Sequence, residues 1–235
     1  MTEPDGWPRF DRPPSVAFVD VDGTLLAETT SYLFARLLMR RGLVGRSSLP
    51  VILYHGLRHR FGRLNYEALV AHGLRSVAAI PVAELERLAR ENFEDHVKPR
   101  LYPGVVGHLD GLRTSGTPLV LVSSSAGLVI EPLRVHLGCE DALTTPVVVE
   151  GGRLVGVGEG PLCHGEGKLV RARAWADRRG LAMADAVAYA DDWSDRALLA
   201  AVGRGVVVRP GGRLARLARA RGWDVARPGK PSIPT

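Results

Sequence analysis

The sequence lacks the features that would place it in several special classes of protein. Its 235 residues include only two cysteines, Cys139 and Cys163, so we expect no disulfide framework and a reducing, cytoplasmic environment. No stretch of about eighteen consecutive apolar residues is present, which excludes a transmembrane helix. Residues 1–14 are proline-rich and contain no apolar segment, so we expect no signal peptide.

Lysine is also scarce, and the charge is unevenly distributed. Only three of the 31 basic residues are lysines, and the formal net charge is +6. Residues 196–235 hold nine basic residues and one acid, and residues 29–66 hold seven arginines and no acid, so the remainder of the chain is acidic. We expect mainly a solvated, arginine-rich surface. A basic stripe that binds nucleic acid or an anionic membrane is the alternative.

Four apolar runs predict buried strands, and three of them end in polar residues. The runs are SVAFVD at 15–20, PLVLVS at 118–123, AVAYADD at 186–192 and GVVV at 205–208. Helical periodicity dominates between residues 29 and 100 and recurs between the later runs. This alternation predicts an α/β fold, with a Rossmann-like parallel sheet and an inserted all-helical domain.

The same pattern predicts the domain boundaries. We expect a core made of residues 15–28 and 100–227 and a helical cap at 29–99. Loose tails are expected at 1–14 and 228–235. The core range includes a hairpin predicted at 146–158 by PVVVEGGRLVGVG, with its turn at the paired glycines.

Charged and polar residues follow the predicted strands and would meet at one edge of the sheet. Two like charges about 4 Å apart cost about 4 kcal/mol at a local dielectric of about 20, and one lysine cannot neutralise four acids. A hard divalent cation such as Mg²⁺ would, and a site beside a lysine and a serine suits a phosphoryl group. The residues concerned are Asp20 and Asp22 in DVDGT, Ser123 in LVSSS, Lys168 in GEGK, and Asp191 and Asp195 in DDWSD.

These positions predict distinct chemical roles. Asp20, at a strand tip, can attack phosphorus and form an aspartyl-phosphate. Asp22 can protonate the leaving oxygen and then deprotonate the attacking water, and Thr24 can orient a carboxylate. The predicted phosphate-binding residues are Ser123, Ser124 and Lys168.

The motifs resemble those of the haloacid dehalogenase superfamily, in its phosphoserine-phosphatase-like branch (subfamily IB), which carries a helical C1-type cap. DVDGT at 20–24 is similar to the first motif, LVSSS at 121–125 to the second, Lys168 in CHGEGK to the third, and AYADDWSDRALLAAVG at 188–203 to the fourth. The resemblance covers roughly residues 15–225. It implies that Mg²⁺ is held by the Asp20 carboxylate, the Asp22 backbone carbonyl and Asp191. It also implies that Asp195 is an outer acid near Lys168.

One position departs from the family pattern. Phosphoserine phosphatases usually place a glutamate nine residues after the nucleophile, where this sequence has Thr29, with Glu28 adjacent. The resemblance therefore implies a Mg²⁺-dependent phosphatase acting on a phosphorylated small metabolite, with phosphoserine disfavoured. The alternatives are a phosphotransferase or mutase that uses the same aspartyl-phosphate, and a non-catalytic binder of nucleic acid or anionic membrane. The sequence makes no prediction of oligomeric state.

Overall fold

The computed structural model describes residues 6–45, 66–229 and 231, and contains a parallel sheet and a separate hairpin. The strands are β1 Ala17–Asp20, β2 Leu119–Ala126, β3 Asp141–Thr145, β4 Val147–Glu150, β5 Arg153–Val157, β6 Val187–Ala190, β7 Arg204–Val208 and β8 Asp224–Ala226. Six of them form one sheet in the order β3-β2-β1-β6-β7-β8, in which every neighbouring pair is parallel. Strands β4 and β5 form an antiparallel hairpin. The predicted Rossmann-like α/β fold is confirmed.

Strand β1 lies at the centre of this sheet, between β2 and β6. The chain runs outward from β1 to β2 and β3 and then returns to β6 on the other side of β1. In parallel sheets, a crevice forms at the carboxyl ends of the strands where the order reverses in this way. The topology therefore places the ends of β1 and β6, which lead into Asp20 and Asp191, at the expected ligand-binding edge.

Helices cover both faces of the sheet. The helices are α1 Thr30–Arg40, α2 Tyr66–Val77, α3 Val82–Asn92, α4 Pro103–Thr114, α5 Gly127–Leu137, α6 Glu166–Asp177, α7 Arg196–Ala201 and α8 Gly212–Arg221. Alternate residues of β1 point to opposite faces. Val19 packs in one buried cluster with residues of α4 and α5, whereas Phe18 packs in another with residues of α6, α7 and α8. Among the residues described, no helix is long and apolar enough to cross a membrane.

Two strands of the sheet were not predicted, and both are edge strands. Strand β3 has the sequence DALTT and β8 has the sequence DVA. Edge strands have one neighbour and are partly exposed, so they do not need the continuous apolar run that marks a central parallel strand. The four strands that were predicted all lie inside the sheet.

Helices α1 and α3 form the cap with α2, around a third buried cluster. This cluster contains Phe34, Leu37, Leu85 and Leu88. It also contains Leu154 of β5, although the hairpin lies within the range predicted for the core. The hairpin packs on the cap because Leu154, unlike its exposed neighbours Arg153 and Val155, faces the cap helices. The domain boundaries drawn from the sequence remain a prediction.

Both of the predicted tails contact the core where the structure describes them. Trp7 is 4% exposed and stacks on His108 of α4, with ring centroids 4.3 Å apart. His108 Nε2 lies 2.9 Å from the hydroxyl of Tyr189, which is fully buried in β6. At the other end, the Pro228 carbonyl accepts a hydrogen bond of 3.0 Å from Arg209. The indole ring and this carbonyl tie both tails to the core.

His108 makes the stability of the fold depend on pH. Burial lowers the pKa of His108 from 6.5 to about 4, so the folded chain keeps the ring neutral while the unfolded chain protonates it. As the pH falls from 6.5 towards 4, the free energy of unfolding should therefore decrease. Urea unfolding at pH 7, 6 and 5 should show a shallower decrease for His108→Gln than for the wild type. His136→Gln, at an exposed histidine, should retain the wild-type slope. Identical slopes in all three proteins would contradict this assignment.

Candidate active site

Lys168 lies between two carboxylates at the carboxyl edge of the sheet. Its Nζ atom is 2.6 Å from Asp20 Oδ1 and 2.9 Å from Asp195 Oδ1. All three residues are less than 5% exposed. Burial alone would lower the pKa of Lys168, but the charges of Asp195 and Asp20 raise it well above its ordinary value. The lysine is therefore a fixed positive charge beside the Asp20 carboxylate.

The start of α6 delivers this lysine to the cleft. The residue before the helix is Gly165, whose φ of +55° and ψ of −124° are poorly tolerated by residues with a Cβ. A side chain at Gly167 would overlap the carbonyl of Leu162, so the first turn lies directly against the preceding loop. These two glycines of the GEGK segment let α6 begin close enough to the sheet for Lys168 to reach Asp20.

Asp191 follows β6 and lies against the loop after β1. A Cβ at Gly23, where φ is +91°, would overlap the Asp191 carboxylate. The Thr24 hydroxyl lies 2.8 Å from Asp20 Oδ2 and 3.2 Å from Asp191 Oδ1, which fits the orienting role predicted for Thr24. Burial, with the charge of Asp20 added, raises the pKa of Asp191 to about 9. The charge of Lys168 acts in the opposite direction but does not outweigh burial and the neighbouring carboxylates.

Asp22 is held by the first turn of the cap. The backbone N–H of Thr30, the first residue of α1, donates a hydrogen bond of 2.7 Å to Asp22 Oδ1. The side chain of Thr29, the N-cap residue, makes no capping hydrogen bond, so Asp22 caps this end of the helix instead. The negative charge of its carboxylate also interacts favourably with the positive end of the helix dipole. Burial outweighs this hydrogen bond and raises the pKa of Asp22 to about 6. Asp22 is therefore oriented by the cap helix and is more readily protonated than an ordinary aspartate.

Three consecutive serines, 123–125, lie near the end of β2 and form the serine loop. Ser123 is 1% exposed, and its Oγ accepts a hydrogen bond of 3.1 Å from the Ser125 backbone N–H. The Ser125 hydroxyl lies 3.0 Å from the Thr30 hydroxyl and 2.7 Å from that of Ser31. Ser125 thus joins the serine loop to the cap helix and does not cap α5. The structure brings together at one edge all the residues that the sequence proposed for the site.

Comparison with known proteins gives a consistent result. Residues 17–200 match the model of the haloacid dehalogenase-like hydrolases. The chain is 30% identical over 228 residues to a phosphoserine phosphatase of Mycobacterium tuberculosis, covering 92% of this chain and 73% of that protein. It is 24% identical to a histidinol-phosphatase of Neisseria meningitidis, covering 90% and 97% of the two chains.

Solved structures show the same fold. A Bordetella pertussis protein of unknown function aligns with a TM-score of 0.80 and 30% identity, covering 90% of this chain and 97% of that one. A substrate-bound phosphoserine phosphatase aligns with a TM-score of 0.66 and 18% identity, covering 88% and 91%. This chain belongs to the haloacid dehalogenase-like hydrolase family. The identification made from its four motifs, including the phosphoserine-phosphatase-like branch, is confirmed.

Enzymes of this family generally use Mg²⁺, and the donor atoms present here fit that ion. Nowhere in the described ranges do three or more histidine, cysteine, aspartate or glutamate side chains converge as a metal site. The set expected for the family instead combines the Asp20 and Asp191 carboxylates with the Asp22 backbone carbonyl, and these are hard oxygen donors. Asp191 also needs a positive partner, because Lys168 is engaged by Asp20 and Asp195.

One contact across the cleft was missed by the sequence analysis. Tyr66, at the start of α2, donates a hydrogen bond of 2.5 Å to the Ser124 carbonyl. Its ring also stacks on His164, with centroids 4.5 Å apart. The Ser124 carbonyl accepts a second hydrogen bond, of 2.7 Å, from the Thr145 hydroxyl of β3. The backbone of the second motif is therefore held by one residue of the cap and one residue of the sheet. Nothing in the local sequence around Tyr66 signals a partner 58 positions away.

Cys163, which precedes Lys168 in CHGEGK, is not a reactive thiol. Cys163 is fully buried, and burial raises the pKa of its thiol to about 12, so it carries no thiolate at neutral pH. Its Sγ donates to the Leu143 carbonyl instead.

The close contact between residue 23 and Asp191 predicts a large effect of a single methyl group. Gly23→Ala should lower the free energy of unfolding by about 2 kcal/mol more than Gly42→Ala, because overpacking adds to backbone strain. Gly42 is a matched control, since its φ is +70° and a Cβ there has no neighbour within 4 Å. Urea unfolding of both variants measures the difference. Equal losses would show that strain alone acts at residue 23.

Proposed function

We propose that this protein is a Mg²⁺-dependent phosphatase that hydrolyses the phosphomonoester of a small metabolite through an aspartyl-phosphate on Asp20. The observation that carries the proposal is the position of Asp20. Its carboxylate lies at the tip of the central strand, 2.6 Å from the ammonium of Lys168, with Asp22 two residues further on. The residues proposed as nucleophile, balancing charge and acid therefore lie in one cleft.

The first step uses the two aspartates of DVDGT. A carboxylate oxygen of Asp20 attacks phosphorus, and the bond between phosphorus and the ester oxygen breaks. Asp22 transfers its proton to that oxygen, so the leaving group departs as a neutral alcohol. Lys168 and Thr24 hold the two oxygens of Asp20, which fixes the direction of attack.

The second step reverses the role of Asp22. As a carboxylate it accepts a proton from water, whose oxygen attacks phosphorus and displaces Asp20, so that inorganic phosphate is released. The hydrogen bond from Thr30 N–H keeps Asp22 in one orientation for both proton transfers. Since Thr30 opens the first cap helix, the position of the cap controls the position of the acid.

The remaining predicted residues bind the phosphoryl group or the metal ion. We assign Ser123, Ser124 and Lys168 to the phosphoryl oxygens. Asp20, Asp191 and the Asp22 carbonyl would hold Mg²⁺, which supplies positive charge next to the phosphoryl group when it is bound. Asp195 orients Lys168 through the ion pair already described.

The substrate is proposed to be a small phosphorylated metabolite other than phosphoserine. Glu28, next to the position where phosphoserine phosphatases usually have a glutamate, forms an ion pair of 2.6 Å with Arg100. A carboxylate engaged in this way does not offer its charge to a substrate amine.

Both cysteines are buried free thiols, which supports the prediction of a reducing, cytoplasmic environment.

The proposed nucleophile gives a direct test. A phosphate-release screen over phosphorylated metabolites with Mg²⁺ should identify a substrate, and EDTA should abolish turnover until Mg²⁺ is restored. Asp20→Asn should lower turnover of that substrate by about 10³-fold or more, since the covalent step is lost. Asp177→Asn, the same change at an exposed residue at the end of α6, should leave turnover unchanged. Full activity of Asp20→Asn would refute the mechanism.

The proposed acid predicts a dependence on the leaving group. Asp22→Asn should lower kcat/KM for an alkyl phosphate, which reports formation of the aspartyl-phosphate and not its hydrolysis, by about 100-fold or more, because the alkoxide needs a proton. Nitrophenyl phosphate, whose leaving group is stable as an anion, should lose much less. Asp20→Asn provides the control, since it should slow both substrates alike. Equal slowing of both by Asp22→Asn would exclude the acid role.

A further inference from the structure

A small cavity with an unusual charge lies beside the first cap helix. Its volume is about 120 Å³, and its lining residues are Leu33, Arg36 and Arg40 of α1 together with His96 and Arg100. Leu33 is the buried member of this set, at 2% exposure. Three arginines and a histidine therefore line one small space.

Two of the three arginines have no acidic partner in the described part of the chain. Arg100 pairs with Glu28, but Arg36 and Arg40 have no acidic partner within 4.0 Å in the described part of the chain. Arg41 and Arg87, two other arginines of the cap, are both paired with Glu91. The cavity thus carries an excess of about two positive charges at one place, which attracts an anion.

The cavity is separate from the catalytic cleft. Ser31, which contacts the serine loop through Ser125, precedes Arg36 by five positions on the same helix. Five residues correspond to a rotation of about 140° around a helix axis, so the two side chains leave α1 on nearly opposite sides. The arginine face of α1 points away from the serine loop that would bind the substrate phosphate.

The size of the cavity limits what it can hold. Cavities that enclose drug-sized ligands measure roughly 300–1,000 Å³, whereas this one is about 120 Å³. A tetrahedral dianion of the size of phosphate or sulfate fits, and arginine pairs with such oxyanions through two parallel hydrogen bonds. We propose that Arg36, Arg40 and Arg100 form a second anion site, outside the catalytic cleft, for inorganic phosphate or for the terminal phosphate of a small metabolite.

The site lies where the cap joins the core. Residues Leu26 and Leu101, one on each connecting segment, pair as a short antiparallel bridge. The N–H of Tyr102 also donates 2.8 Å to the Leu25 carbonyl. An anion held by Arg36 and Arg40 of α1 and by Arg100 of the second connection would link the cap to this junction. Phosphate binding there would stabilise one position of α1, the helix whose first N–H holds Asp22.

Calorimetric titration without Mg²⁺ tests the site on the full chain. Sodium sulfate, inorganic phosphate and glycerol phosphate are titrated separately, with sodium chloride of equal ionic strength as the reference. We expect the Arg36→Gln/Arg40→Gln double variant to bind sulfate at least about tenfold more weakly than the wild type, because its bidentate partners are removed. Binding of sulfate and inorganic phosphate alone would identify the free ion as the ligand. If glycerol phosphate also binds, the site accepts the terminal phosphate of a small metabolite as well as the free ion.

Two matched variants make the result decisive. Arg216→Gln/Arg219→Gln removes the same charge from exposed positions of α8, and should bind sulfate as the wild type does. Ser123→Ala alters the proposed catalytic phosphate pocket and should also leave sulfate binding unchanged. Loss of binding in the α8 variant would show a general charge effect, and loss in Ser123→Ala would place the anion in the catalytic cleft. Either result, or no binding beyond chloride, would overturn the proposal. The experiment requires no turnover, so it stands or fails independently of the proposed function.

Discussion

The Lys168 ammonium lies between the buried carboxylates of Asp20 and Asp195, and the geometry of the whole cleft depends on this arrangement. Removing one partner of a buried ion pair generally costs about 3–5 kcal/mol, because the other charge is left without compensation. Three separate elements, the end of β1, the start of α6 and the turn before α7, must therefore meet within hydrogen-bonding distance. The cluster couples catalytic geometry to folding, since a chain that misplaced any of these elements would bury an unpaired charge.

One lysine is nevertheless too little positive charge for this cleft. Asp191 lies beside Asp20 and Gly23, and its nearest hydrogen-bond donor in the described structure is the Thr24 hydroxyl. A hydroxyl can orient a carboxylate but cannot neutralise it. This local deficit is the physical argument for the Mg²⁺ proposed at the switch point of the sheet. The small residue at position 23 leaves room for the carboxylate that would bind it. Any side chain there would occupy the space of the Asp191 carboxylate.

The central part of the site could be predicted from the sequence because its residues follow buried strands. The apolar runs before Asp20, Ser123 and Asp191 identify parallel strands, and the carboxyl ends of such strands necessarily meet at one edge. The contacts of the cap could not be predicted in this way. Tyr66 reaches the Ser124 carbonyl, and Leu154 of the hairpin packs on the cap helices, through tertiary packing that leaves no periodic signal. Likewise, the edge strands β3 and β8 are short and partly polar because one side of each has no neighbouring strand.

Helix α1 contacts the active site, the core of the cap and the junction between cap and core. It also carries part of the positive charge of the chain. Its first N–H holds Asp22, and its buried face packs against α3. Its arginine face carries Arg36 and Arg40. A net charge of +6 averaged over the chain carries little information, whereas two unpaired arginines beside the cap junction define a place where an anion would act. Because Thr30 and the two arginines belong to one helix of three turns, an anion that fixed the arginines would also fix the N–H group that holds Asp22. The position of Asp22 is therefore set by contacts on both sides of one helix: the serine loop on one side and the junction between cap and core on the other.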